Sequence, residues 1–202
     1  MNTCLGACSN LGPEDVDDDM IRSAKITYLE GYLYDLPRAK QAFHAAAEMA
    51  HAAGRKVSLT LSDAFCVERH RAAFLNLVAN HIDILFANEV EITALFEAND
   101  LASAIERTRA AVGLGVITRS AEGSLIVTGQ QVIEIQAADV ERVVDTTGAG
   151  DLYAAGFLFG LARGENPDHC GALGSHAAAE IISHDGARPR IELKTLLEEL
   201  FA

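Results

Sequence analysis

A seven-residue string in the last third of the chain carries the residue types that phosphoryl transfer requires. Residues 145–151 read Asp-Thr-Thr-Gly-Ala-Gly-Asp and run directly into an apolar stretch at 152–162. The small residues leave backbone N–H groups accessible where a helix begins, which is a favourable position for an anion. Asp151 follows them, so donors for a phosphate would lie beside a base for a hydroxyl.

The same string also fits a purely structural role. Gly148 and Gly150 suit a tight turn, and Asp151 suits the cap of a helix. The apolar stretch has no polar face, which predicts a buried helix. Gly156 and Gly160 lower helix propensity, so close packing against a neighbour explains them better. A phosphate site and a capped turn therefore both fit these residues.

A second polar cluster, Asn88-Glu89-Val90-Glu91, follows a predicted strand. Asn88 and Glu91 are three residues apart and share one helix face, where they can hold a hydrated magnesium ion near phosphates. Glu89 lies off that face. The alternative is a helix cap, in which Asn88 caps the helix and the glutamates favour its dipole. The two roles are compatible.

The string at 145–151 resembles the signature of the ribokinase family of sugar and nucleoside kinases, also called the PfkB family. The resemblance implies that Asp151 takes the proton from the acceptor hydroxyl and that ATP is the phosphoryl donor. It implies an anion hole formed by the backbone of Gly148, Ala149 and Gly150. Asn88 and Glu91 match the family's Asn-x-x-Glu pattern, which implies magnesium as a cofactor.

The resemblance also implies a nucleotide-binding turn after the fourth predicted strand. The corresponding residues are Thr118, Arg119, Ser120, Ala121, Glu122 and Gly123. Family members usually have a glycine soon after the threonine, and this chain has Arg119 and Ser120 there. Arg119 is either a phosphate ligand or a solvated surface arginine.

Further positions rest on the resemblance alone. His176 matches a position near the nucleotide, although a lone histidine on an alanine-rich helix also suits packing. Asp145, Thr147 and Gly186 correspond to a monovalent cation site, for which potassium is the candidate ion. Asn88 and Gly150 are expected near the nucleotide as well.

Composition limits the classes of function. The chain has 202 residues, 50% of them hydrophobic, and suits one domain or one domain with a fragment of another. Its net charge of −13 argues against nucleic-acid binding, which needs clustered Lys and Arg. Mononucleotide binding remains open because backbone amides and a metal ion can supply positive potential locally.

The cysteines and the other histidines suggest no further site. Cys4, Cys8, Cys66 and Cys170 lack zinc-ligand spacing, so free thiols are expected. The remaining histidines show no ligand spacing that includes a carboxylate partner, and we expect surface or core roles for His44, His51, His70, His81, His169 and His184. No apolar segment is long enough to span a membrane, and we expect a soluble, cytoplasmic protein.

The order of predicted elements favours an α/β fold. Strands are predicted at 25–31, 56–61, 83–87 and 114–118, with a hairpin at 124–128 and 132–136. Helices are predicted at 36–54, 67–79, 89–96, 101–111, 152–162, 167–183 and 193–201. Residues 65–70 are predicted as a loop leading into a helix, and the acidic run at 15–19 starts another. This alternation predicts a mostly parallel sheet with helices on both faces, and the resemblance implies a ribokinase-like three-layer αβα fold.

The resemblance covers only the later part of a family member. We therefore expect residues 1–202 to form a single, incomplete kinase domain, truncated at the N-terminus and lacking the lid and early strands. Residues 1–7 suggest a mid-domain strand and turn. Such a chain would form a homo-oligomer or need a completing N-terminal chain, because unpaired sheet edges associate.

The expected activity is ATP-dependent phosphoryl transfer to a primary hydroxyl of a sugar or nucleoside. The patterns Tyr28-Leu29-Glu30-Gly31-Tyr32 and Asp151-Leu152-Tyr153-Ala154 look closer to adenosine-kinase-like and general sugar kinases than to ribokinase itself. The alternative is a catalytically impaired nucleotide-binding fragment that needs a partner chain.

Overall fold

A computed structural model of the chain describes residues 6–193 and 195. Its helices are α1 (Asp18–Ser23), α2 (Pro37–Ala52), α3 (Ala64–His81), α4 (Glu89–Phe96), α5 (Leu101–Ala111), α6 (Ala149–Arg163) and α7 (Pro167–Ile182). Its strands are β1 (Ile26–Glu30), β2 (Lys56–Thr60), β3 (Ile84–Asn88), β4 (Leu114–Thr118), β5 (Ser124–Thr128) and β6 (Val132–Ile135).

The strands form one six-stranded sheet in the order β1-β2-β3-β4-β5-β6. β1 pairs with β2 and β2 with β3 in parallel, and the register sets Ile26 opposite Lys56 and Ser58 opposite Ile84. β5 and β6 are neighbours joined by residues 129–131, as in a hairpin. The prediction of a mixed α/β fold with a mostly parallel sheet is confirmed.

The chain divides into two compact units. The first comprises Met1–Val116 with Val127–Gly129, and the second comprises Ile117–Ile126 with Gln130–Ala202. In the first unit, an alanine stripe on α2 packs against β1 and β2. Alanines at helical spacing allow a close approach of helix and sheet, and the buried members are Ala39, Ala42, Ala46, Ala47 and Ala50.

Close packing of α6 on α7 organises the second unit. A Cβ at Gly156 would lie 2.6 Å from the carbonyl oxygen of Leu173, and one at Gly160 would lie 2.9 Å from its Cδ1. The expectation that these glycines permit a close neighbour is confirmed. The buried hydroxyl of Tyr153 on α6 also lies 2.6 Å from Ser124 Oγ, which ties the helix to β5.

Polar side chains cap the first turns of α1, α3, α4, α5 and α7. Asp17 accepts from the Met20 amide at 2.8 Å and starts α1, which confirms the helix predicted from the acidic run. Asp63 caps α3 through the amides of Phe65 and Cys66. Residues 65–69 are therefore helical, and the loop predicted at 65–70 is wrong there because Asp63 provides the start signal; α3 is kinked at His70, which has φ −122° and ψ 20°.

The prediction that the apolar helix is buried on all sides is wrong in part. α6 begins at Ala149, and its buried residues are Tyr153, Ala154, Phe157 and Gly160. Phe159 on the opposite face is 39% exposed, and the Arg163 guanidinium lies 5.4 Å from its ring. Apolar composition gives a helix the capacity for burial, but burial also requires a neighbour on that face.

Three short 3₁₀ helices were not expected from the sequence, Pro13–Asp15, Gly31–Asp35 after β1 and Ser120–Glu122 after β4. Residues 6 and 7 belong to a fourth, Gly6–Asn10, whereas residues 1–5 of the strand and turn predicted at 1–7 lie outside the described ones. The helix predicted at 193–201 also lies outside them, apart from residues 193 and 195.

No helix within residues 6–193 and 195 combines the length and apolarity that crossing a membrane requires. α3 is 18 residues long, but charged residues such as Glu68 and Arg71 interrupt it. The cysteines in the described part of the chain, Cys8, Cys66 and Cys170, are free.

Candidate functional site

The signature turn is shaped by a glycine in the left-handed region. Gly148 has φ +84° and ψ 1° and forms the N-terminal cap of α6. Its Cα faces the loop after α7, where an added Cβ would lie 3.2 Å from Ala187 Cβ. A side chain at this position would strain the backbone and crowd that loop.

Two of the three amides expected in the anion hole are available. The Ala149 amide donates to the Thr146 carbonyl at 3.2 Å, so its inclusion in the hole is not supported. Among the described residues, no acceptor takes the amides of Gly148 or Gly150. Gly150 also has open space where a Cβ would project. A helix start with unpaired N–H groups attracts negative charge.

Asp151 lies in the first turn of α6, beside those amides. Its side chain is exposed, and it makes no hydrogen bond or ion pair within the described part of the chain. The carboxylate nevertheless lies partly against protein, and this desolvation raises its pKa above the ordinary value of 3.8. The arrangement leaves a carboxylate with enhanced basicity open to a ligand.

Asp145 connects the signature turn to the loop after α7. Its Oδ1 accepts from the Thr147 amide at 2.9 Å and its Oδ2 from the Gly186 amide at 3.2 Å. These hydrogen bonds, chiefly that of Thr147, lower the pKa of Asp145. The structure thus brings together the three residues proposed for a monovalent cation. Thr147 and Gly186 contact Asp145 through their amides, which donate to its carboxylate. Of the atoms in these contacts, only the carboxylate oxygens could bind a cation.

Arg119 is not the solvated surface arginine expected as one alternative, and its contact with a phosphate stays a prediction. Its side chain is only 12% exposed, so it is not a solvated surface arginine. Its Nη2 donates to Glu134 at 2.6 Å and to the Glu122 carbonyl at 3.0 Å, so the guanidinium is already engaged within the turn. The ion pair with Glu134 on β6 explains why this arginine stays inside the turn.

Backbone conformation explains the other residues of this turn. Ser120 has φ +53°, a conformation that favours glycine, where the sequence showed no glycine. Gly123 has φ +79°, and an added Cβ would collide with the Ile135 carbonyl oxygen. The turn closes through a 2.8 Å bond from the Arg119 amide to the Gly123 carbonyl. Gly123 is therefore required by the close approach of β6, and Thr118, Ala121 and Glu122 line the same turn.

Asn88 and Glu91 form a reciprocal cap at the start of α4. The Glu91 amide donates to Asn88 Oδ1 at 2.8 Å, while the amide and side-chain nitrogens of Asn88 donate to Glu91 at 2.9 and 2.8 Å. The capping role predicted as the alternative is confirmed. Glu91 is only 7% exposed, so any role in binding a metal ion would act through water or after a change of side-chain conformation.

Two carboxylates that sequence reasoning missed lie near Glu91 in the first unit. Burial is the main cause that raises the pKa of Glu91, and the charges of Asp63 and Glu30 raise it further. Glu30 ends β1 and Asp63 follows β2, so all three carboxylates lie at the carboxyl ends of neighbouring strands. A divalent cation would relieve this repulsion, which fits a magnesium-binding role, although no three metal-binding side chains in the described residues are placed to chelate an ion directly. The signal that could have found Glu30 and Asp63 in the sequence was their position at the carboxyl ends of predicted strands.

His176 is half-buried on α7 and makes no hydrogen bond within the described residues. Surface or core roles were expected for the other histidines, and four of them contact carboxylates, which the sequence did not indicate. The pairs are His51–Asp83 at 3.0 Å, His70–Asp35 at 2.7 Å, His169–Glu165 at 3.1 Å and His184–Glu180 at 3.1 Å. Of these four histidines, His184 lies at the edge of the signature turn.

Comparison with known proteins shows the family to which the chain belongs. Residues 1–194 match the pfkB family of carbohydrate kinases. The chain belongs to the pfkB family. The match spans both compact units, so it is not a resemblance of the signature string alone.

Two solved structures of pfkB-type kinases are highly similar to the chain. It is 49% identical to the adenosine kinase of Sinorhizobium meliloti, with a TM-score of 0.96 over 99% of this chain and 62% of that one. It is 45% identical to a probable sugar kinase of Rhizobium etli CFN 42, with a TM-score of 0.96 over 99% of this chain and 61% of that one. The chain thus spans about three fifths of the length of these relatives.

A more distant structure shows the fold. A putative ribokinase II of Escherichia coli, solved in complex with ATP and magnesium, is 17% identical to this chain. The TM-score is 0.86 over 98% of this chain and 67% of that one. The predicted ribokinase-like α/β fold is confirmed.

Proposed function

We propose that the chain performs the phosphate side of ATP-dependent phosphoryl transfer to a primary hydroxyl of a sugar or nucleoside. Asp151 acts as the general base, and the amides of Gly148 and Gly150 stabilise the transferring phosphoryl group. The observation that carries the proposal is the exposed carboxylate of Asp151 beside two unpaired amides at the start of α6.

The chemistry of this turn supports the assignment. A base must reach the hydroxyl proton, and the exposed Asp151 has no protein partner within the described residues to hold it back. The amide dipoles at the start of a helix interact best with charge that develops on the transferred group. The left-handed Gly148 fixes the backbone that presents those donors.

Magnesium is the cofactor that the first unit fits. Asn88 and Glu91 would hold it through its water ligands, with Asp63 and Glu30 adding negative potential. When bound, magnesium would neutralise phosphate charge. ATP with magnesium in the E. coli ribokinase II complex supports the choice of both. The turn at 118–123 and His176 are the proposed nucleotide contacts.

Adenosine is the first acceptor to test. The adenosine kinase of S. meliloti is 49% identical to the chain, and the R. etli relative is a probable sugar kinase. Both acceptor classes offer a primary hydroxyl that a single carboxylate can deprotonate. We therefore propose a nucleoside acceptor first and a sugar second.

Measurement of ADP formation by the 202-residue chain tests the proposal. With ATP, magnesium and adenosine, ribose or fructose, we expect ADP to form only when a suitable acceptor is present. Asp151→Asn should reduce kcat by about 100-fold or more, because general-base catalysis contributes about that much. Its affinity for ATP should be unchanged. Acceptor-independent ADP formation, or full activity of Asp151→Asn, would refute the base role.

A second candidate is a nucleotide-binding polypeptide that acts only with a completing chain. It is favoured by the exposed Phe159 on α6. Its signature would be ATP binding without turnover, unaffected by Asp151→Asn.

A further inference from the structure

A buried acid–histidine pair lies where α7 ends. Glu180 is on the last turn of α7, and its side chain is 10% exposed, while His184 two residues beyond the helix is 7% exposed. His184 Nε2 lies 3.1 Å from Glu180 Oε1, and Nδ1 lies 3.2 Å from the Asp185 carbonyl oxygen. The imidazole is thus held at both nitrogens.

The same carboxylate holds the loop that follows. The Arg190 amide donates to Glu180 Oε1 at 2.8 Å, so this oxygen accepts from both ends of the 184–190 loop. The loop is in turn attached to the signature turn by the 3.2 Å bond from the Gly186 amide to Asp145. The amides of Val144 and Asp145 also donate to the Ile182 carbonyl, at 2.8 and 3.4 Å.

The loop forms one wall of the turn that carries the proposed anion hole. Ala187 lies against Gly148, with no room for a side chain of ordinary size between them. Movement of the loop would therefore displace both the Asp145 contacts and the left-handed Gly148. Glu180 contacts neither of these residues directly, so its effect passes through the loop.

Retaining a carboxylate at this position is unfavourable on its own. Glu180 Oε2 is buried and has no hydrogen-bond partner in the described part of the chain. A buried polar atom without a partner lowers stability. This cost is offset only if the charge on Glu180 Oε1 organises the donors around that oxygen. These donors belong to the 184–190 loop.

We propose that Glu180, with His184, is a positioning residue that fixes the signature turn for phosphoryl transfer. The inference rests on the proposed function. Loss of the Glu180 charge weakens the attachment of the loop, and the amides of Gly148 and Gly150 then lose their alignment. Because alignment matters most in the transition state, the chemical step slows more than acceptor binding weakens.

Glu180→Gln tests the kinetic consequence, and Glu165→Gln is the matched control. Glu165 pairs with His169 at the other end of α7 with the same spacing and the same 3.1 Å distance, but its side chain is 32% exposed. We expect Glu180→Gln to lower kcat by about tenfold or more with the acceptor KM within about twofold, given the sensitivity of such reactions to small misplacements. Glu165→Gln should leave both unchanged.

Hydrogen–deuterium exchange gives a readout that does not depend on activity. In Glu180→Gln, the amides of Thr147, Gly186 and Arg190 should exchange faster, while those of α6 beyond its first turn stay protected. His184→Gln is the milder variant should Glu180→Gln fold poorly, and it should show the same pattern to a smaller extent.

The outcomes separate the two proposals. Unchanged kcat and unchanged exchange in a folded Glu180→Gln variant would overturn the positioning role. A fall in melting temperature with normal kcat and normal exchange at 144–190 would also overturn it, since the pair would then act only on stability. If the wild-type chain turns over no acceptor, but exchange at these amides is faster in Glu180→Gln than in the wild type, the proposed function fails. The coupling of Glu180 to the signature turn then still stands.

Discussion

The basicity of Asp151 results from two opposing effects. The start of a helix favours negative charge and would lower the pKa of a carboxyl group there. Desolvation acts in the other direction and prevails, so the pKa of Asp151 is raised. A carboxylate that is exposed to a ligand but poorly hydrated holds a proton more firmly than a free aspartate, which suits a group that must take one from an alcohol.

The raised pKa predicts the acid limb of the activity profile. As the pH falls, Asp151 becomes protonated at a higher pH than an ordinary aspartate of pKa 3.8. The value of kcat should therefore begin to decrease while the pH is still above 3.8. Single-turnover rates measured down to about pH 4 would show it. Asp145 cannot produce this limb because its pKa is lowered. A flat profile down to the ordinary aspartate range would contradict the assignment.

Residue identities predicted some roles and missed others for a physical reason. The signature string correctly placed a helix start with available amides at Gly148 and Gly150. The sequence could not show that Arg119 turns inward, because its partner Glu134 is 15 residues away on another strand. Glu180 and His184 are four residues apart, a spacing that brings side chains together on a helix, so their pairing was detectable although His184 lies beyond the end of α7.

At the scale of elements, the contact of α6 with α7 depends on glycine. Gly156→Ala would place a methyl group 2.6 Å from the Leu173 carbonyl oxygen, so the helices must separate. Overpacking of this kind costs about 1–3 kcal/mol, and we expect the melting temperature to fall by several degrees.

Gly150→Ala is the matched control for that prediction. No atom lies within 4 Å of its added Cβ, and alanine raises helix propensity, so the melting temperature should not fall. Thermal unfolding followed by circular dichroism would compare the two variants. Equal destabilisation of both would mean that helix packing does not set the requirement for glycine at position 156.

The sequence predicted the bounds of helices and strands better than the contacts that surround them. The bounds of α4, α5 and β4 match the predicted ones because caps and β-prone runs are local signals. The 3₁₀ helix at Gly31–Asp35 was missed because its sequence, GYLYD, has neither helical nor strand alternation. The exposure of Phe159 was missed because burial depends on a neighbouring surface that one segment does not encode.

At the scale of the whole molecule, a net charge of −13 repels an anionic nucleotide over long distances. Added salt screens this repulsion, so the association rate of a fluorescent ATP analogue should rise between about 20 and 150 mM salt. The association rate of uncharged adenosine should not change. Stopped-flow measurements would compare them. A rate for the nucleotide that falls with salt would instead indicate that local positive potential controls its approach.

Tyr153 offers an optical probe close to the proposed base. The chain has four tyrosines and no tryptophan, so tyrosine dominates its near-ultraviolet absorption. Burial raises the pKa of Tyr153 to about 12, and Tyr153 lies two residues after Asp151 on α6. Phenolate absorbance from this ring would appear near pH 12 while the helix stays on β5, and at lower pH once the helix detaches. Because burial raises the pKa of Tyr34 to about 12 as well, an alkaline titration of a Tyr34→Phe variant would report the integrity of the α6–β5 contact without any attached label.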